Sequence, residues 1–275
     1  MTPDYSLAHL TVLALTPPEI VKVAAATGYQ FAGIRLLPAS PGGVAYPLME
    51  DPAALRETLS VIADTGVGVF DLEIIRVGEG FDPDHFLRFF EVGQKLGARA
   101  ILVAGDEADE ARMTASFAAL CEAAAPFGLS CDLEFMPWTK VPDAPSALRI
   151  VAGADQPNGG VLVDGLHYGR SHSTLADVAA IPRQWLHYAQ ICDGPAGTAP
   201  VEDLIHVARC ERQLPGEGSI DLVGLFATLP ADLPVSVELP SESRAPQLGP
   251  EEWARRTLAA AKATVAAAAA RRAAA

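Results

Sequence analysis

Eight apolar, strand-like runs alternate with helical patterns along the 275-residue chain, and this rhythm limits the fold more than any other feature. The runs are 6–15, 31–37, 66–75, 98–105, 129–135, 159–165, 187–192 and 234–239. Segments 17–28, 51–66, 82–97 and 110–128 separate the first five and place apolar residues at helical spacing. Each of these four ends on a glycine, a residue suited to the left-handed backbone that closes a helix. Two open with Asp-Pro, an N-cap followed by a residue whose fixed φ suits the first helical position. Strands and helices recurring at roughly 25–35 residues imply parallel βαβ units, and eight such units close into a (β/α)8 TIM barrel. A doubly wound open sheet is the competing architecture. It ordinarily carries a glycine-rich nucleotide turn after its first strand, and none follows Leu15.

The length fits one barrel domain over 1–275, because barrels of this size fold as single units. From Leu258 onward the chain is Ala-rich and carries Arg271 and Arg272, which reads as a last helix fraying into solvent. Lys plus Arg number 20 against 34 Asp plus Glu, a net charge of −14. Nucleic-acid binding rests on neutralising phosphates, so this balance argues against it, and against an anionic membrane surface as well. The first residues lack a basic leader, and no apolar run is long enough to span a bilayer. Cys121, Cys131, Cys192 and Cys210 form no CxxC pair and read as thiols in a reducing compartment. A cytoplasmic protein is expected; homo-oligomerisation is left open.

Barrel chemistry collects where strands finish. The last four predicted strands finish with Glu134, Asp164, Gln190 and Glu238, each inside an apolar run. A lone acid at a strand end is ordinarily a cap or turn residue. Three at one register of successive strands would repel and be forced to protonate unless a cation sits among them. All the donors are oxygens once the Gln190 carbonyl is counted, which suits a hard divalent ion, Mn2+ or Mg2+, with Co2+ or Zn2+ as substitutes.

These residues lie in LEFMPW, DGLHYGRS, YAQICDG and VSVELPS, and through those stretches the chain resembles the xylose isomerase-like TIM-barrel superfamily of sugar phosphate isomerases and epimerases. The resemblance implies metal ligation by Glu134, Asp164, Gln190 and Glu238. Gln in the third place is similar to hydroxypyruvate isomerases, inosose dehydratases and dehydroshikimate dehydratases. The family's DxxHxxR pattern falls on Asp164, His167 and Arg170, and implies that His167 touches a substrate oxygen. Two departures concern the substrate: Arg35 stands where a Glu commonly ends the second strand, and Lys140 follows the first ligand where a further acid is common.

The expected activity is removal of a proton α to a carbonyl in a small polyhydroxylated, carbohydrate-like substrate, with Glu134 and Glu238 as base and acid and the metal stabilising the enediolate. Returning the proton elsewhere gives isomerisation or epimerisation, which the resemblance favours. Expelling a β-hydroxyl gives dehydration, the alternative. Arg35 and Arg212, with Arg76 and Arg170, are expected at strand ends, where guanidiniums would read an anionic substrate. Trp138 is expected as a pocket wall, although packing explains it equally well. Asp71 and Glu73 share a strand face and read as partners for these arginines. LPGEGSID, 214–221, reads as a turn before a helix rather than a phosphate loop. Two other classes fit less well. A DNA-repair barrel would want a His-rich metal site, and a non-catalytic sugar-acid binder has no need for two glutamates at the metal.

Overall fold

A computed structural model describes residues 3–274. Eight parallel strands close in sequential order into a barrel: β1 (Tyr5–Leu7), β2 (Phe31–Arg35), β3 (Gly68–Val77), β4 (Ala100–Gly105), β5 (Ser130–Glu134), β6 (Gly159–Asp164), β7 (Ala189–Ile191) and β8 (Val235–Val237). The helices are α1 (Pro17–Thr27), α2 (Pro52–Thr65), α3 (Leu87–Leu96), α4 (Glu110–Ala124), α5 (Ala144–Ala154), α6 (Gly165–Arg170), α7 (Leu175–Ala179), α8 (Val201–Cys210), α9 (Leu222–Thr228), α10 (Ala245–Leu248) and α11 (Pro250–Ala274). The fold is a (β/α)8 TIM barrel.

Local chemistry starts and stops these helices where the sequence says it should. Asp51 accepts from the backbone N–H groups of Ala53 and Ala54 at the head of α2. Thr16 and Glu19 form a reciprocal capping box on α1. Gly28 and Gly66 close α1 and α2 at φ 89° and 72°, where a side chain would be strained.

Strand alternation sorts the apolar residues into two sets. Leu7, Leu133, Val161 and Val163 belong to the main core, whereas Phe70, Leu102, Met136, Leu162 and Tyr188 form a second, separate cluster. Such a pattern is that of a barrel whose inside is filled by side chains and whose outside is packed by helices. β3 breaks strict alternation twice. Its register slips against β2 between Ala32 and Ile34, and against β4 between Leu72 and Ile75. These bulges insert extra residues and re-aim their side chains; Asp71 falls within the first and Glu73 within the second.

Two expectations are corrected. The apolar run 6–15 is not one strand: β1 ends at Leu7, and His9–Val12 form a 3-10 turn. Thr11 draws the chain over, because its hydroxyl donates to the Val237 carbonyl at 2.7 Å and accepts from the Leu239 N–H at 2.8 Å. Nor does the Ala-rich segment fray. Leu258, Ala261, Thr264 and Ala268 are buried in α11, which packs against α9 and α1. Arg272 donates to the Phe226, Ala227 and Leu229 carbonyls, satisfying the end of α9. Alanine is small enough to let the helices approach closely, so a low-complexity stretch becomes a packing face. Among the described residues, no helix is long and apolar enough to cross a membrane.

Candidate active site

Glu134 and Asp164 are the last residues of β5 and β6, Gln190 is central in β7, and Glu238 directly follows β8. Strand register brings them together: Glu134 lies beside Leu162, Asp164 beside Gln190, and Gln190 beside Ser236. Leu162, two residues before Asp164, belongs to the interior cluster, so the same alternation turns Asp164 inward. All four proposed ligands are buried.

A residue from outside the strands organises this set. Arg212 was expected near a strand end; it instead follows α8, in a segment bridged to Asp193 on one side and Ser241 on the other. That placement threads a fully buried guanidinium between two carboxylates. Arg212 Nη1 donates to Asp164 Oδ2 and Nη2 to Glu238 Oε2, both at 2.8 Å. Nε donates to the Ala208 carbonyl at 2.8 Å, and Cys192 Sγ lies 3.1 Å from Nη1. Removing two carboxylates from water is costly unless they are paired and hydrogen-bonded, and Arg212 does both.

The charges respond to their surroundings. Burial pushes the Glu134 carboxyl well above its ordinary range, and the nearby Glu238 and Asp164 add to this. Burial also raises Glu238, which Arg212 partly offsets, leaving it at about 7. For Asp164 burial is again the largest influence, but Arg212, His167 and the His167 N–H outweigh it and hold the carboxyl low. Burial lowers His167 to about 4, so its imidazole is neutral near pH 7.

Several of these groups lack the partners their burial demands. Glu134 Oε1, both amide atoms of Gln190 and His167 Nδ1 are buried without a hydrogen bond. Glu134, Asp164 and His167 present ligand atoms within 4.8 Å of one another. Partnerless buried oxygens at converging strand ends fit a divalent cation held by Glu134, Asp164, Gln190 and Glu238. The imidazole of His167, expected to touch substrate, stands near enough to share that role.

Above this set opens a narrow cleft. Glu134, Glu238, Arg212, His167 and Trp138 line it, with Arg35, Glu73, Arg76 and Arg209 on the side of β2, β3 and α8. Trp138 lines the cleft and packs edge-on against His167, with ring centres 5.0 Å apart. Arg35 reaches the cleft already paired to Glu73, at 2.5 Å from Nη2 and 2.7 Å from Nε. His9 braces this pair: its Nδ1 accepts from the Arg35 N–H, and its own N–H donates to Glu73 Oε1. Arg76 pairs with Asp106 at 2.5 Å. Arg170 does not line the cleft, a correction to its expected place among substrate contacts; it donates to the Pro195 carbonyl at 2.9 Å and ties down the loop after β7.

LPGEGSID is the turn it reads as. Asp193 accepts from Gly194, Gly216 and Ile220, and a Cβ on Gly218 would overlap that carboxylate. His9 reads from sequence equally as a barrel-floor or a pocket residue, and the structure sets it against Arg35 and Glu73. The sequence reading missed Cys192 and Arg209 as neighbours of the site. Arg209 carried one usable signal, its place three residues before Arg212; Cys192 carried none.

A model of the xylose isomerase-like TIM barrel matches residues 21–264, and the chain belongs to that family. Among curated proteins it is similar to two 3-dehydroshikimate dehydratases. That of Pseudomonas aeruginosa is 26% identical over 80% of this chain and 35% of the relative; that of Pseudomonas putida is 25% identical over 79% and 34%. The chain therefore spans about a third of the length of these relatives. Among solved structures, an IolI protein with a bound zinc atom superposes with a TM-score of 0.80 at 18% identity, covering 96% of this chain and 98% of that one.

Proposed function

We propose that the protein is a divalent-metal-dependent enzyme that removes a proton α to a carbonyl in a small polyhydroxylated carbonyl compound, and that the outcome is loss of water from a hydroxylated cyclic keto-acid. The observation that carries the reading is the pair of buried glutamates, Glu134 and Glu238, facing one cleft above partnerless buried oxygens. The curated relatives, both dehydratases, support dehydration over the isomerisation that shares its first step.

A bound divalent ion would supply Lewis-acid polarisation of the substrate carbonyl. The protein's residues divide the remaining work. Glu238, oriented by Arg212, is the base that takes the proton from carbon. Glu134, across the cleft, delivers a proton to the departing hydroxyl. Neutral His167 donates a hydrogen bond to a substrate oxygen beside Asp164. Trp138 closes one wall and excludes water.

The test is proton NMR in deuterated water with Mg2+ and a panel of 3-dehydroshikimate, keto-sugars and neutral cyclic ketones. Loss of water from dehydroshikimate, abolished by a chelator, is the expected result. Rearranged ketoses in the same tube would instead establish an isomerase. No loss of water, no rearrangement and no solvent deuterium in any substrate would remove the proposal.

A further inference from the structure

Resting on that reading, we infer that Arg209 is the specificity-determining residue of the site and reads a carboxylate on the substrate.

Four guanidiniums line the cleft, and three are already committed. Arg35 is held by Glu73, Arg76 by Asp106, and Arg212 by Asp164 and Glu238. Each is at hydrogen-bond distance from an acid: Arg35 and Arg212 cannot turn to an incoming anion without abandoning a buried partner, and Arg76 must first release the exposed Asp106. Among the described residues, Arg209 alone of the four has no carboxylate within ion-pair distance. It is half-buried at the end of α8, so a guanidinium has been taken partly out of water without compensation. Its neighbours worsen the position: burial, then Arg76 and Arg35, weaken its hold on its proton. With Arg35 and Arg76 offset by their own acids, the charge on this side of the cleft that an anion can still answer is that of Arg209.

Position decides which part of the substrate it meets. Arg209 and Leu10 line both the catalytic cleft and an adjoining groove walled by Leu13, Leu15, Pro240 and Pro246. A planar guanidinium at that junction takes a carboxylate in a two-point grip. The apolar groove accepts the carbon framework beside it. A neutral sugar would leave the cation unpaired, which makes Arg209 a filter for keto-acids over ketoses.

The probes are 3,4-dihydroxybenzoate, the aromatic acid left when dehydroshikimate loses water, and its amide, 3,4-dihydroxybenzamide. They share the catechol and differ in charge, and calorimetric titration of the full chain compares them. The wild type should bind the acid about ten- to hundredfold tighter than the amide, the range of one charge-assisted contact. Arg209→Gln should bring that ratio to about one with amide affinity unchanged, and Arg209→Lys should restore part of it. Equal binding of acid and amide by the wild type would overturn the inference. So would an acid preference that survives Arg209→Gln, or the binding of neither probe. Arg209-dependent binding of phosphoglycolate through its phosphate, with no preference between the benzoic pair, would mean a phosphate reader and also overturn it. Failure of the proposed reaction is read separately, in the deuterium experiment, and leaves this binding ratio measurable.

Discussion

The two ends of one barrel handle buried acid in opposite ways. At the mouth, Asp164 and Glu238 share Arg212, and Glu73 is gripped by Arg35. At the floor, Asp71 is fully buried with neither oxygen hydrogen-bonded, and Ser6, Ser236 and Tyr188 nearby also have partnerless hydroxyls. Burial first, and then Glu73, Glu238 and Asp132, push the Asp71 carboxyl far up, which favours its neutral form. Asp132 is served there, by His187 at 2.7 Å and Ser130 at 2.7 Å. The contrast teaches that the barrel tolerates buried carboxylates by two routes, protonation or a cation. At the mouth, Arg212 and Arg35 place Asp164, Glu238 and Glu73 in ion pairs beside open space, which is where charge can do chemistry.

Neutralising the mouth should have the largest effect. Glu134→Gln and Glu238→Gln should each lower turnover on the order of 10⁴-fold, the upper range for a positioned acid or base. The rate of water loss from dehydroshikimate measures this, and metal content checks that the site survives. A near-normal rate in either variant, with metal retained, would deny that residue its proton-transfer role.

Arg212→Met should destabilise the protein by about 3–5 kcal/mol, because two buried carboxylates lose their shared cation. Urea unfolding reads the loss, and adding a divalent ion should return part of it by supplying charge to the same pair. A variant as stable as the wild type would show that the mouth does not depend on that guanidinium.

His167→Ala should keep its metal and lose roughly 10²–10³ in kcat, the scale of one lost oxyanion donor. Loss of metal together with full activity on reconstitution would make the imidazole a ligand instead.

At the floor the same kind of change should matter little. Asp71→Asn replaces a neutral acid by a similar shape and should cost less than about 1 kcal/mol at pH 4. The wild-type acid holds its proton when folded and releases it when unfolded, so wild-type stability falls as pH rises above the ordinary carboxyl value. The variant should lack this decline and be the more stable of the two at pH 8. Denaturant midpoints across that range decide it, and a parallel decline in both proteins would mean that Asp71 is ionised.

The smallest effect belongs to His187. Burial lowers its affinity for a proton, but Asp132 outweighs burial and raises it overall. The ion pair therefore adds stability that is full below the ordinary histidine value and fades as pH rises through the raised one. His187→Gln should flatten that slope with no change in turnover, a comparison thermal melts can make.

Much of this was legible along the chain because parallel βαβ units repeat a local pattern. Apolar periodicity, Asp-Pro starts and glycine ends place α1 and α2 within a turn and the end of α3 at Gly97, although the Asp82-Pro83 start opens a 3-10 turn ahead of α3; the acids at the ends of β5 and β6 stand where the pattern puts them. What misled was local as well: the run 6–15 alternates like a strand, yet a single threonine folds it over the barrel rim. The Ala-rich segment from Leu258 lacks polar patterning and so looks frayed, although the small side chains are what let α11 bury itself.

The sequence by itself determined the barrel, its inward and outward faces, and the strand ends at which Glu134, Asp164, Gln190 and Glu238 converge, since each of these follows from spacing along one chain. Only the tertiary structure decided which charges meet. Arg212 reaches Asp164 across 48 residues and Arg35 reaches Glu73 across 38. The bulges that aim β3, the pairing that consumes three guanidiniums and the isolation of the fourth at Arg209 arise likewise from register and burial between distant segments. A linear pattern records residue types and intervals, whereas a cation's partner is set by which carboxylate lies within a few ångströms once water has been excluded.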